Sequence, residues 1–176
     1  TPLAICYRYK KMYEKSLAVI NEGLANIKDP NIKVREFRML DTKCFTLYFC
    51  ERYDEAEEVY LKMQDPKFDS IKKAVNTIYV DIYHYLYHND FGHAITMAHD
   101  IKEPANRYAW LSKIERKRGN YLVASEYSDK AYTALQDSYR QIRNDQYAQM
   151  NAEMGNNSLK AENAELLLRS SNLALH

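Results

Sequence analysis

Apolar residues recur at three- and four-residue steps along nearly the whole chain. Leu17, Ile20, Leu24 and Ile27 make one such row, and Ile71, Val75, Ile78, Ile82 and Tyr85 make another. That period sets each row on one face of a helix. Two kinds of interruption punctuate the rows. Asp29-Pro30, Asp65-Pro66 and Glu103-Pro104 each place a carboxylate before a proline. The residue before proline avoids the helical region, so a helix should stop there. Shorter interruptions fall at Arg52-Tyr53-Asp54, at Asn89-Asp90-Phe91-Gly92 and at Gly119-Asn120-Tyr121. The prolines are 36 and 38 residues apart, with one short interruption between each pair. The pattern therefore predicts two antiparallel helices of about 15 residues each, repeated along the chain.

Aligning the short interruptions brings out an internal repeat. Tyr53-Asp-Glu-Ala56, Phe91-Gly-His-Ala94 and Tyr121-Leu-Val-Ala124 share an aromatic residue followed three positions later by alanine, and Tyr13-Glu-Lys-Ser16 is a fourth copy with serine. The aromatic is expected to plug the turn, while the small residue lets the two helix axes approach to about 8–9 Å. Further contact positions follow seven residues after the aromatic, at Ile20, Tyr60, Ala98 and Ser128, and ten after it, at Gly23, Met63, Ile101 and Ala131. These residues resemble the tetratricopeptide repeat, a helix-turn-helix unit of about 34 residues. The resemblance covers about 1–132 in four degenerate copies, the best being 105–132. The turn aromatics are 40, 38 and 30 residues apart. The family's aromatic six residues before the turn is Tyr7 and Tyr85 in two copies but Leu47 and Glu115 in the others. Its small residue nine before the turn is Ala4, Cys44 and Ser112, but Ile82 in the third.

The resemblance implies an all-α fold, a right-handed solenoid of helical hairpins followed by a long C-terminal helix. It also implies that the first helix of each unit lines a concave face where a protein or peptide partner binds. By register, that face carries Arg38, Phe45, Tyr48 and Phe49 from the second copy. The third copy supplies Asn76, Tyr79, Tyr83 and Tyr87, and the fourth supplies Asn106, Lys113, Arg116 and Lys117. Rings, amides and a basic end suit an extended peptide with a carboxylate. A sugar or a single-stranded nucleic acid would use the same mixture. The tyrosine stripe has a second reading, as core between repeats, and both readings stay open.

Residues 133–176 differ: they contain one glycine and no proline, and are rich in Gln, Asn, Ala, Leu and Glu. A heptad runs through Tyr147, Met150, Met154, Asn157, Ala161, Ala164, Leu168, Ser171 and Leu175. Two polar seam positions make it an imperfect coiled coil. It predicts a homodimer through residues 147–175, with 133–150 as a helix capping the last repeat. Gly155-Asn156-Asn157-Ser158 is a kink, a turn or a weak spot in one helix. Residues 135–168 resemble the repeat-to-coil junction of bacterial membrane-bound signal transducers with N-terminal tetratricopeptide repeats. That resemblance implies an extracytoplasmic, periplasmic input domain, joined to a membrane and an output module through parts of a parent protein absent here. A free-standing cytoplasmic adaptor is the alternative. The chain begins at Thr1, which predicts a fragment of a longer protein.

Composition narrows the picture further. The 176 residues include only 4 glycines and 4 prolines, against 16 tyrosines. Folds built from many tight turns need more glycine and proline than this, and no Gly-rich phosphate loop is present. Net charge is +1, so nothing recruits nucleic acid as a partner. Mean hydropathy is −0.62, and no apolar run is long enough to span a bilayer. Cys6, Cys44 and Cys50 form no CxxC pair and are expected to be small buried hydrophobes.

Three constellations bear on chemistry. Asp81, His84 and His88 share a helix face, and histidines four apart suit zinc. The general-base glutamate of an HExxH motif is missing from His84-Tyr-Leu-Tyr-His88. The adopted reading is a polar edge of a Tyr-rich helix, with no metal or cofactor, and a metal-binding enzyme is the alternative from another class. The acidic run Glu51, Asp54, Glu55, Glu57 and Glu58 is read as a solvated helix N-terminus. Lys113, Arg116, Lys117 and Arg118, with Arg107 upstream, make the one basic patch. No catalytic residues, and no enzymatic activity, are expected.

Overall fold

A computed structural model describes residues 2–27 and 32–173, the last six (168–173) by backbone alone. The break expected at Asp29-Pro30 and the seam residue Leu175 lie outside the described residues. Everything regular among the described residues is helical: α1 (Pro2–Tyr9), α2 (Tyr13–Ala25), α3 (Lys33–Phe49), α4 (Tyr53–Met63), a 3₁₀ turn (Pro66–Phe68), α5 (Asp69–Lys72), α6 (Ile78–Tyr87), α7 (Phe91–His99), α8 (Pro104–Arg118) and α9 (Tyr121–Leu173). The fold class is all-α. Helices α1 and α2, α3 and α4, α6 and α7, and α8 and α9 pack as successive hairpins.

The four hairpins share one turn, written in the backbone. Lys11, Glu51, Asn89 and Gly119 all have positive φ, from 57° to 93°, and each lies two residues before the turn aromatic. In every case the next amide reaches back five residues: Met12 to the Tyr7 carbonyl (2.9 Å), Arg52 to Leu47 (2.9 Å), Asp90 to Tyr85 (2.8 Å) and Asn120 to Glu115 (2.9 Å). This is the Schellman arrangement that satisfies the last carbonyls of a helix. The accepting group is a carbonyl, so its side chain is free to vary. That is why Leu47 and Glu115 stand where the repeat pattern has an aromatic.

The small-residue contact also recurs. Ala4 and Ser16, Cys44 and Ala56, Ile82 and Ala94, and Ser112 and Ala124 are all buried, each pair twelve residues apart. Ser16 Oγ donates to the Ala4 carbonyl at 2.8 Å. Cys44 Sγ donates to the Ala56 carbonyl at 3.3 Å, and Ser112 Oγ to the Ala124 carbonyl at 2.7 Å. The polar group enters the interface only where it finds a backbone acceptor, as a buried donor must.

The carboxylate-proline pairs begin helices as well as ending them. Asp65 accepts from the Lys67 amide at 2.9 Å. Glu103 accepts from the Ala105 amide at 3.1 Å and the Asn106 amide at 2.6 Å, opening α8. Each is an N-cap with proline at the first helical position. One expected helix is two: the row from Ile71 to Tyr85 is broken at residues 73–77, and the Asn76 side chain accepts from the Ile78 amide at 3.1 Å to start α6.

One core cluster joins Phe37, Leu47, Tyr48, Met63 and Phe68, and a second joins Ile82, Leu86, Ala98, Leu111 and Ile114; Trp110 packs against both. Two expectations fail at the C-terminal end. Tyr121 is 71% exposed and plugs nothing. The cap expected over 133–150 does not form, because every residue from Leu135 to Leu167 is exposed. Helix α9 packs on α8 through Ala124 and Ser128 and then runs on with exposed side chains, unbroken through Gly155-Asn156-Asn157-Ser158. Its 53 residues span about 80 Å.

Candidate functional site: an aromatic groove across four helices

Helices α1, α3, α6 and α8, the first of each hairpin, contribute to one surface. Phe45 from α3 meets Tyr79 and Tyr83 from α6 edge-on, with ring centroids 6.4 and 5.6 Å apart. Tyr79 stacks on Trp110 from α8 at 5.7 Å, and Tyr83 meets the same indole edge-on at 4.9 Å. This ridge of rings divides the surface into two lobes. The first holds about 400 Å³ between Arg8, Asp41, Phe45, Tyr79, Asn106 and Trp110. The second, about 160 Å³, lies between Phe49, Tyr53, Tyr83, Tyr87, Lys113 and Lys117.

The second lobe has cationic walls. The Lys113 ammonium lies 4.1 Å from the Tyr83 ring centre and 4.9 Å from that of Trp110, and donates to the Tyr83 hydroxyl at 2.6 Å. Lys113 as a whole residue is exposed, while its Nζ lies against these rings. Burial, with a smaller push from Lys117, lowers its pKa to about 8. Lys117 donates to the Leu86 carbonyl at 2.6 Å, closing the C-terminus of α6. Neither lysine forms an ion pair with a carboxylate among the described residues. The first lobe holds the opposite charge problem. Burial, reinforced by Asp81 and eased by Arg8, raises the Asp41 pKa to about 6. The Arg8 guanidinium sits 4.4 Å over the Phe45 ring.

Nine of the twelve residues expected on this face line the two lobes: Phe45, Tyr48, Phe49, Tyr79, Tyr83, Tyr87, Asn106, Lys113 and Lys117. Tyr48 and Tyr83 belong to the core as well. Tyr48 is 1% exposed and stacks on Tyr83 at 5.3 Å, so it backs the wall rather than facing a ligand. The other three miss the lobes. Arg38 and Arg116 are exposed elsewhere, and Asn76 is spent on starting α6. Arg8, Asp41 and Trp110 were overlooked, although a signal existed. Asp41 continues the Arg38–Phe45 row of α3, and Trp110 falls midway in the Asn106–Lys113–Lys117 row of α8. A further cleft of about 770 Å³ is elsewhere, between α3, α4 and the 3₁₀ turn. It is bordered by the Lys67–Glu36 ion pair and contains none of the expected residues.

Two of the thiols are not activated. Burial pushes the Cys44 and Cys50 pKa values up, the opposite of thiolate activation. Of the three cysteines, Cys44 is buried, Cys50 half-buried and Cys6 exposed, so the expectation of burial holds in full for Cys44 alone.

The histidine pair acquires a partner that spacing along one helix could not reveal. Asp81 turns away: it accepts from the Tyr60 hydroxyl at 3.0 Å and from Thr77 Oγ1 at 2.8 Å. Glu57 of α4 takes its place, 2.9 Å from His84 Nδ1 and 3.1 Å from His88 Nε2. The acidic run is thus not uniformly solvated, since the Glu57 side chain is only 14% exposed.

Among the described residues no helix is long and apolar enough to cross a membrane. The chain matches no family model, no curated protein and no solved structure.

Proposed function

We propose that this chain is a protein-interaction or ligand-sensing domain of tetratricopeptide-like architecture, a right-handed solenoid whose groove holds an extended peptide. The observation that carries the reading is the pairing of the aromatic ridge with Lys113 and Lys117, which form no direct ion pair among the described residues, although the Glu51 carboxylate lines the same lobe. A peptide running across α3, α6 and α8 would lay apolar side chains on Tyr79, Trp110 and Phe49 and place a carboxylate at Lys113 and Lys117. Asn106 and Arg8 would pair with main-chain groups in the first lobe. Two neighbouring ammonium groups gain from an anion placed between them, because it relieves their mutual repulsion.

The reading as the input domain of a bacterial signal transducer, extracytoplasmic in its parent, rests on the resemblance of residues 135–168. One structural feature favours it over a free-standing adaptor: α9 leaves the last hairpin as a single uninterrupted helix. A shift of α8 on peptide binding would be carried along that helix to an attached module.

Trp110 is the single tryptophan and stands in the groove, so its fluorescence reports occupancy. Six-residue peptides bearing one aromatic and a free C-terminus should give a saturable change. The amidated peptides, and the variant Lys113→Gln, should bind about tenfold more weakly, the loss expected for a charge-assisted hydrogen bond. Equal binding of free and amidated peptides, or no response from Trp110 across such a library, overturns the reading.

A further inference from the structure

The cluster between the second and third hairpins lies outside the groove. We propose that Glu57, His84 and His88 form a binding site for a divalent metal ion of zinc type, clamping α4 to α6. Their ligand atoms all lie within 4.8 Å of one another. A tetrahedral zinc, with bonds of about 2.0–2.2 Å, sets its ligand atoms about 3.3 Å apart. The two Glu57–histidine separations, 2.9 and 3.1 Å, reach that value with outward shifts of a few tenths of an ångström. Two imidazoles and one carboxylate are a borderline donor set, suited to zinc, nickel, cobalt or copper rather than to calcium or magnesium.

The surroundings support the ligands as an outer shell does. The Tyr48 hydroxyl donates to Glu57 Oε1, which holds the carboxylate in place with both oxygens near His84 Nδ1 and Oε2 also near His88 Nε2. The Tyr60 ring stacks on His84 with centroids 4.0 Å apart and planes 11° from parallel, fixing the imidazole plane. Tyr60 is anchored in turn by Asp81. His88 is 53% exposed, so an ion has a path in and a solvent-facing fourth position for water. Without metal, His84 Nδ1 and His88 Nε2 both lie within hydrogen-bonding distance of the carboxylate. With metal, His84 coordinates through Nδ1 and His88 through Nε2, each carrying its proton on the other ring nitrogen.

The site spans two hairpins, so a bound ion stabilises the folded chain. The whole chain, stripped with EDTA, is titrated with zinc chloride by calorimetry and with cobalt chloride by visible absorption. Expected are one equivalent of zinc, the intense visible bands of four-coordinate cobalt, and a thermal midpoint raised by about 5–10 °C at a hundredfold excess over Kd. His88→Ala, at an exposed position, and Glu57→Gln should weaken zinc binding at least about tenfold. His93→Ala and His99→Ala should leave it unchanged. If His84→Ala fails to fold, His88→Ala carries the same test. No zinc bound at submillimolar concentration, or binding that survives both His88→Ala and Glu57→Gln, overturns the site.

Discussion

Helix α9 holds two unlike regions in one continuous backbone. Up to Ala134 it is the second helix of a hairpin, with Ala124 buried against Ser112. From Leu135 to Leu167 every side chain is exposed, including Tyr139, Ile142, Tyr147, Met150 and Met154. Helical propensity is no higher in the bare part, which carries Gly155 and five asparagines at 144, 151, 156, 157 and 163. The hairpins are stabilised by burial of an apolar face, which supplies most helical stability in proteins. The bare segment has apolar side chains that stay exposed among the described residues. Secondary structure alone therefore says little about where the stability of this molecule resides; burial does.

The largest effect should come from matched truncations in the two regions. Phe68 is fully buried against Phe37, with ring centroids 5.2 Å apart. Phe68→Ala should cost about 3–5 kcal/mol in urea unfolding of the hairpins, while Leu159→Ala in the bare helix should change that transition by less than about 0.5 kcal/mol. A comparable loss at both positions would erase the distinction.

Next in size is the charge held in the groove, which has no counterpart on the bare helix. The folded Asp41 carboxyl keeps its proton up to about pH 6, against an ordinary value of 3.8. Between those values the folded chain binds more protons than the unfolded one, so stability falls as pH rises through the window. Asp41→Asn removes that fall. It should stabilise the protein at pH 7 by about 1–2 kcal/mol, with the advantage gone below about pH 4. An advantage that persists at pH 3.5 would assign the effect to packing instead.

A smaller effect distinguishes two glycines. Gly119 has φ of 93° in the last hairpin turn, and Gly155 is helical with open space around it. Gly119→Ala should cost about 1 kcal/mol, the strain of a side chain in the left-handed region. Gly155→Ala should raise helicity by circular dichroism through a gain of about 1 kcal/mol in local propensity. The same substitution thus acts with opposite sign in the two regions.

The smallest change in hairpin stability should follow deletion of residues 135–176, which leaves the unfolding midpoint within about 0.5 kcal/mol of the whole chain. Mass should respond instead. By the heptad from Tyr147, the whole chain sediments as a dimer of 20.8 kDa subunits and the shortened chain as a monomer. Equal masses would remove the coiled-coil reading and leave the apolar face of α9 without a partner.

Much of the fold was legible because the helical period and the carboxylate-proline caps act locally. The hairpin turns were also found, yet their cause was misplaced. The pattern pointed to a plugging aromatic, whereas Tyr121 is exposed and the shared feature is a left-handed residue followed by an amide bonded five residues back. Three of those residues, Lys11, Glu51 and Asn89, are not glycine, so composition hides them. Groove residues were recovered where they followed a helical row from a recognised turn. Asn76 failed because the row from Ile71 is broken at residues 73–77, and α6 starts only at Ile78, two residues after Asn76.

The sequence alone determined the all-α class, the alternation of long and short interruptions, and the stripe bearing Phe45, Tyr79, Tyr83 and Lys113. These depend on contacts within a turn or two, which periodicity and caps encode. Tertiary structure decided which stripe residues are walls and which are core, that Asp81 serves Tyr60 and Thr77, and that Glu57 meets His84 and His88. Glu57 and His84 are 27 residues apart and on different helices. Their meeting is set by how one hairpin packs on the next, and no spacing along a single helix carries that information.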